Sequence, residues 1–170
     1  MPSKIYVTNQ QKSVSFDSAK VRRAAKKILT LLGYEGYELS VVITDDQEIA
    51  RLNRQYFRRN RPTNVISFPM TADGLPLLPN KILGDVVISA ETADRQAGKA
   101  GGKAKEEILF LLIHGILHLT GFDHEGTKED REKMEAKERE LFSKLFSHRG
   151  RREHTDIKAE NGKDLTLRDS

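Results

Sequence analysis

Val21, Ala24, Ala25, Ile28, Leu29 and Leu32 recur at the three-to-four spacing of one helix face, with Asp17 placed to cap that helix and Gly33 to end it. Before it, residues 5–7 and 14–16 read as short strands. Residues 38–44, ELSVVIT, are β-branched and apolar enough for a buried strand. Asp45 then opens a helix with Ile49, Leu52 and Tyr56 on one face and a basic outer side. Pro62 breaks the pattern over residues 60–63, NVISF (64–68) resumes as a strand, and residues 71–81, with two prolines and one glycine, read as a loop.

Residues 85–89, DVVIS, predict another strand and residues 90–98 a helix, after which Gly101 and Gly102 form a break. Residues 103–120 make a long helix whose centre is apolar nearly all round, so it must be buried. Thr127 and Asp130 have capping-box spacing ahead of a charged amphipathic helix that turns Met134, Leu141, Leu145 and Phe146 inward and ends near residue 147. Beyond that point charge dominates and no periodicity remains, so residues 148–170 are expected to be a disordered or loosely held tail. Helices and strands mix without strict βα alternation. The expectation is therefore an α+β fold: one domain over residues 1–147, a mixed sheet packed around the long buried helix, and a tail over 148–170.

A chain of 170 residues, 37% apolar and 32% charged, suits one hydrophobic core. Cysteine is absent, which excludes disulfides, thiolate metal sites and a cysteine nucleophile. The opening MPSKIYVTNQ lacks the apolar stretch of a signal peptide, and the richest apolar run, 108–119, is too short to span a bilayer. A cytoplasmic protein without a membrane partner is expected. The formal charge of +4 suits a phosphate-rich partner, but plain solubility would need it equally.

Candidate chemistry concentrates in HGILHLTGFDH, residues 114–124. His114 and His118 lie four apart on the buried helix, so their rings share a face and can bind one ion. Gly121 suits the left-handed residue that ends a helix, and the turn can return His124 toward the other two rings. The alternative, two core histidines with satisfied hydrogen bonds, must meet a cost of roughly 1–3 kcal/mol for each unsatisfied polar group, which a shared metal removes. Three imidazoles leave a fourth position open, as in catalytic zinc sites. One Zn2+ per chain is the expected cofactor, with Ni2+ or another divalent ion able to use the same ligands. The spacing also matches the zinc-protease pattern HExxHxxGxxH, except that Gly115 stands where those enzymes carry a general-base glutamate. A helical glycine there implies close approach, either by substrate or by another part of the backbone.

Arg51, Arg54, Arg58, Arg59 and Arg61 gather cations on one helix and its exit, where guanidinium groups could neutralise phosphates; a solvated basic face is the alternative reading. Lys99, Lys103 and Lys105 could add to the same field. Asp85 and Asp123 are candidates to orient a ligand histidine. For Asp123 an exposed loop carboxylate is the plainer reading, whereas Asp85 enters a buried strand and needs a partner.

With HGILHLTGFDH, RPTNVISF (61–68) and GDVVIS (84–89) in this order, residues 1–147 resemble the YbeY family of bacterial proteins. The resemblance implies a zincin-like fold, zinc on His114, His118 and His124, and single-strand-specific endoribonuclease activity. It further implies action on the 3′ end of small-subunit ribosomal RNA and in ribosome quality control, with ribosomal RNA, the small subunit and assembly factors as partners. Family members carry an arginine directly after the aromatic of the LNxxY segment, where this chain has Phe57; Arg59 and Arg58 are the nearest residues to take over its catalytic role. Two rival functions stand beside this one: a non-catalytic RNA or ribosome-assembly module with a structural metal, and a metalloprotease-like hydrolase.

Overall fold

The computed structural model describes residues 2–70, 81–123, 125–146 and 165–166. Its elements run β1 (Lys4–Asn9), α1 (Ser18–Leu31), β2 (Glu38–Thr44), α2 (Asp46–Phe57), β3 (Val65–Pro69), β4 (Ile82–Ser89), α3 (Ala90–Lys99), α4 (Ala104–Leu119), α5 (Lys128–Leu145) and β5 (Leu165–Thr166). The strands form one mixed sheet in the order β1-β2-β4-β3-β5. β1, β2 and β4 are parallel, β3 runs antiparallel to β4, and β5 is parallel to β3. This is the expected α+β domain, a small mixed sheet with five helices.

Local chemistry accounts for most boundaries. Asp17 accepts from the Ala19 and Lys20 amides, Asp45 accepts from Glu48, and Thr127 and Asp130 exchange both bonds of a capping box. The segment 14–16 departs from expectation, because it is not a strand. The Gln11 side chain binds both the amide and the carbonyl of Val14, at 2.8 and 2.9 Å, so these backbone groups are satisfied by a side chain and not by a ladder. Val14 and Phe16 still pack on the core, which is what their apolar pattern reported. β4 begins three residues earlier than expected, with Leu83 as one extra residue opposite the step from Glu38 to Leu39.

Side-chain alternation divides the sheet into two faces. Val86 and Ile88 join Val21, Ile28, Leu29 and the residues of α4 in the main core, while Val87 and Ile66 meet Ile49 of α2 on the other side. α4 packs on β3 and β4 and is flanked by α1, α3 and α5. Every residue of α4 from Glu107 to Leu119 is buried, as its all-round apolar sequence requires. At the end of β4, the Ser89 and Thr92 hydroxyls each donate to Asp46 Oδ1 at 2.6 Å and Arg95 donates to Oδ2 at 2.7 Å. Burial alone would raise the Asp46 pKa, but these donors outweigh it and hold the carboxyl below its ordinary range.

The expected loop 71–81 lies outside the described residues except for Lys81, as does nearly all of the expected tail. Within that tail, β5 pairs with Ile66 and Ser67 of β3. No helix among the described residues is long and apolar enough to cross a membrane.

Candidate metal centre and nucleic-acid interface

His114 and His118 occupy the last two turns of α4, with only 3% and 6% of their surface exposed. Their ring centroids are 4.9 Å apart at an interplanar angle of 75°. Two imidazoles bound through nitrogen to one tetrahedral ion place their centroids roughly 5 Å apart, a separation comparable to that of this pair. Among the described residues no cluster of three or more metal-ligating side chains is present; His124, the expected third ligand, lies outside them.

The helix end is built as its sequence predicts. Gly121 has φ +100°, its amide donates to the His118 carbonyl at 3.2 Å, and the Phe122 amide donates to the Leu117 carbonyl at 3.0 Å. This pair of bonds is a Schellman motif, and Phe122 packs back onto the core to hold it. The chain is thereby reversed immediately after His118. Asp123 then accepts from the Glu125 amide at 3.0 Å.

The partner of His114 comes from a place the sequence reading did not name. Glu138 of α5 is 2% exposed, and its Oε2 lies 2.7 Å from His114 Nδ1. The signal was available: Glu138 continues the inward stripe of Met134, Leu141 and Leu145, where a carboxylate is costly unless it meets a donor. The contact engages Nδ1 of the ring, so the imidazole is oriented by a residue of α5.

Asp85 is exposed on β4, which corrects the expectation that it enters the strand buried and therefore needs a partner. It follows the alternation of β4 onto the α2 face of the sheet, whereas its neighbour Val86 faces α4. Its partner is the side chain of Ser40 on the adjacent strand. Water withdrawn by the surrounding protein pushes the Asp85 carboxyl up, against the pull of that hydrogen bond.

Gly115 is explained by close approach to the sheet. A Cβ built there would stand 2.6 Å from Val86 Cγ1 and 3.2 Å from Ser67 Oγ, and the Ser67 hydroxyl donates to the Gly115 carbonyl at 2.8 Å. Side chains of β3 and β4 therefore fill the space that either substrate or another backbone was expected to use. A protease-type glutamate has no room at this position.

The basic segment begins on α2 and runs on toward β3. α2 packs on the face opposite α4, and residues 58–64 carry the chain to β3, whose Ser67 touches Gly115. Arg58 caps α2 in the left-handed conformation, with φ 56°. The Arg59 amide donates to the Asn53 carbonyl at 3.3 Å, and the buried Asn53 side chain donates to the Arg61 carbonyl at 2.8 Å. One buried asparagine thus pins the whole arginine turn. Arg51, expected to bind phosphate, is instead engaged by both carboxylate oxygens of Glu48, at 2.7 and 2.8 Å, and by Gln55. Arg54, Arg58, Arg59 and Arg61 have no carboxylate partner among the described residues. Tyr56, expected on the inner face, is 44% exposed and sets its ring edge-on to Phe68 at 5.1 Å. Lys103 and Lys105 start α4, and at about 1.5 Å of rise per residue they stand roughly 14–16 Å from His114, too far to join its immediate field.

The chain is similar to known proteins in sequence and in fold. The family model for Endoribonuclease YbeY matches residues 6–146. Among curated relatives named Endoribonuclease YbeY, that of Geobacter metallireducens is 48% identical over 84% of this chain and 95% of its own length. The Geobacter sulfurreducens protein is 49% identical with the same coverage, and the Aquifex aeolicus protein is 48% identical over 74% of this chain and 82% of its own. In structure, the chain is similar to the solution structure of TM1509 from Thermotoga maritima, with a TM-score of 0.58, 23% identity, and coverage of 84% of this chain and 89% of that one. A buried imidazole pair at a self-closed helix end, in a chain matched from residue 6 to residue 146, thus places this protein: it belongs to the Endoribonuclease YbeY family.

Proposed function

We propose that this endoribonuclease cuts single-stranded RNA during ribosomal RNA maturation, at the 3′ end of the small-subunit RNA, with one zinc ion held by His114, His118 and His124. The observation that carries the metal reading is the buried His114–His118 pair, whose ring separation of 4.9 Å suits one ion, close to the end of a helix that Gly121 terminates. A zincin-like arrangement, with α4 as the metal-binding helix beneath β3 and β4, is part of the same proposal. So are a cytoplasmic site of action and association with the small subunit and its assembly factors.

When bound, zinc supplies Lewis acidity and lowers the pKa of a coordinated water toward neutrality. The chain itself must hold the RNA backbone and steady charge at the scissile phosphate. Arg58 and Arg59, fixed in place by Asn53, are the groups suited to that task, in the position left by Phe57. Arg54 and Arg61 extend the phosphate-binding strip.

The decisive experiment incubates zinc-loaded protein with labelled single-stranded and duplex RNA, with and without chelator. Single strands should be cut, chelation should abolish cutting, and added zinc should restore it. Persistent cleavage by metal-free protein, with contaminating nuclease excluded, would overturn the metal mechanism. The arginine assignment is tested separately. Changing Arg58 and Arg59 together to alanine should lower turnover by on the order of 10² or more while zinc stays at one per chain. Unchanged turnover, binding and salt dependence would return both residues to a solvated role.

A further inference from the structure

We infer that Glu138 is a positioning residue of the metal centre: it holds His114 in the tautomer and orientation that present Nε2 to the ion. The inference rests on the metal reading above and assigns a role to a residue outside the histidine motif.

The geometry is specific. Glu138 Oε2 and His114 Nδ1 are 2.7 Å apart, the length of a strong hydrogen bond to a carboxylate, and both side chains are all but sealed from solvent, at 2% and 4% exposure. Met134 and Leu141, one turn to either side on α5, are fully buried, so the carboxylate sits inside an apolar stripe. The backbone of α5 has no need of an acid there, and for packing alone a leucine would serve as well. A carboxylate accepting Nδ1–H removes the other tautomer, in which Nε2 would carry the proton and could not bind a metal. It also stops rotation about the ring bond and makes Nε2 a stronger donor. His114, one turn before His118 on α4, is a ring that α5 reaches. Glu138 therefore joins α5 to the metal helix at the ligand itself.

The test uses the full chain and its variants Glu138→Gln and Glu138→Leu, with two readouts. Zinc affinity is measured by competition with a chromophoric chelator. The His114 tautomer is read in metal-free protein from long-range 15N–1H correlations. In the wild type, His114 should show a protonated Nδ1 and a bare Nε2. Glu138→Leu should mix the tautomers and weaken zinc binding by about 10–100-fold, the usual effect of losing such a partner. Glu138→Gln keeps an acceptor but not the charge; it should retain the tautomer and lose about tenfold in affinity. If Glu138→Leu does not fold, the loss in the glutamine variant carries the test alone. Zinc affinity within twofold of wild type in every folded variant would overturn the role of Glu138 while leaving the metal site intact. A wild-type chain that takes up no zinc would overturn the metal reading and this inference with it.

Discussion

Replacing Gly115 with glutamate is expected to leave little folded protein and to create no peptidase. The position lies on the buried face of α4 against β3 and β4, where even a Cβ would stand 2.6 Å from Val86 Cγ1. Valine is stiff at χ1, and Val86 is held on a strand paired on both sides, so the neighbour has little freedom to move away. Gly115→Ala measures the contact in a graded way. It gains about 1 kcal/mol of helix propensity but incurs an overpacking cost of about 1–3 kcal/mol. A net loss of up to about 2 kcal/mol should lower Tm by several degrees in a chain of this size. Glutamate adds a carboxylate in an apolar contact, a further cost of several kcal/mol against a total stability of about 5–15 kcal/mol. Soluble yield and thermal unfolding followed by circular dichroism would decide. A glutamate variant that melts with the wild type would show that the sheet can open beside α4, and would reinstate the protease-like reading that this packing excludes.

What could be read in advance was what short stretches of chain decide for themselves. The caps at Asp17, Asp45 and Thr127, the buried character of α4, and the Gly121 turn all depend on residues within five positions of one another. The exceptions depend on partners elsewhere. Residues 14–16 carry a strand-like pattern, yet Gln11 takes up the backbone bonds that a neighbouring strand would have used. Asp85 was expected to be buried and in need of a partner, but it is exposed, and strand register sets it beside Ser40. Glu138 is 24 positions from His114, and only its place in an otherwise apolar stripe pointed to a buried acceptor. Arg51 sat among cations suited to phosphate, while Glu48, one turn before it, was placed to engage it. Patterns report which face is buried more reliably than what that face meets.

Changing His118 to alanine should remove zinc and cleavage while leaving the domain folded and able to bind RNA. Zinc content should drop from one per chain to near zero, and turnover should fall by on the order of 10³ or more, since a catalytic metal contributes several kcal/mol to the barrier. The fold should survive because the end of α4 does not depend on a metal. Gly121 and Phe122 close it through bonds to the His118 and Leu117 carbonyls, and the substitution leaves both backbone bonds in place. RNA affinity should change by no more than a few-fold, because Arg54, Arg58 and Arg59 belong to α2 and its exit, not to α4, and can bind phosphate oxygens without the metal. A non-catalytic module with a structural metal predicts the reverse. There the metal pins the helix end, so His118→Ala would lower Tm sharply and RNA binding would fall with it, and the wild type would have no turnover to lose. Measuring zinc content, Tm, RNA affinity and turnover on the same preparation separates the two. Loss of cleavage with the other protein properties intact supports a catalytic ion, whereas unfolding or lost binding would refute it, because the backbone closure of α4 would then have proved insufficient without the metal.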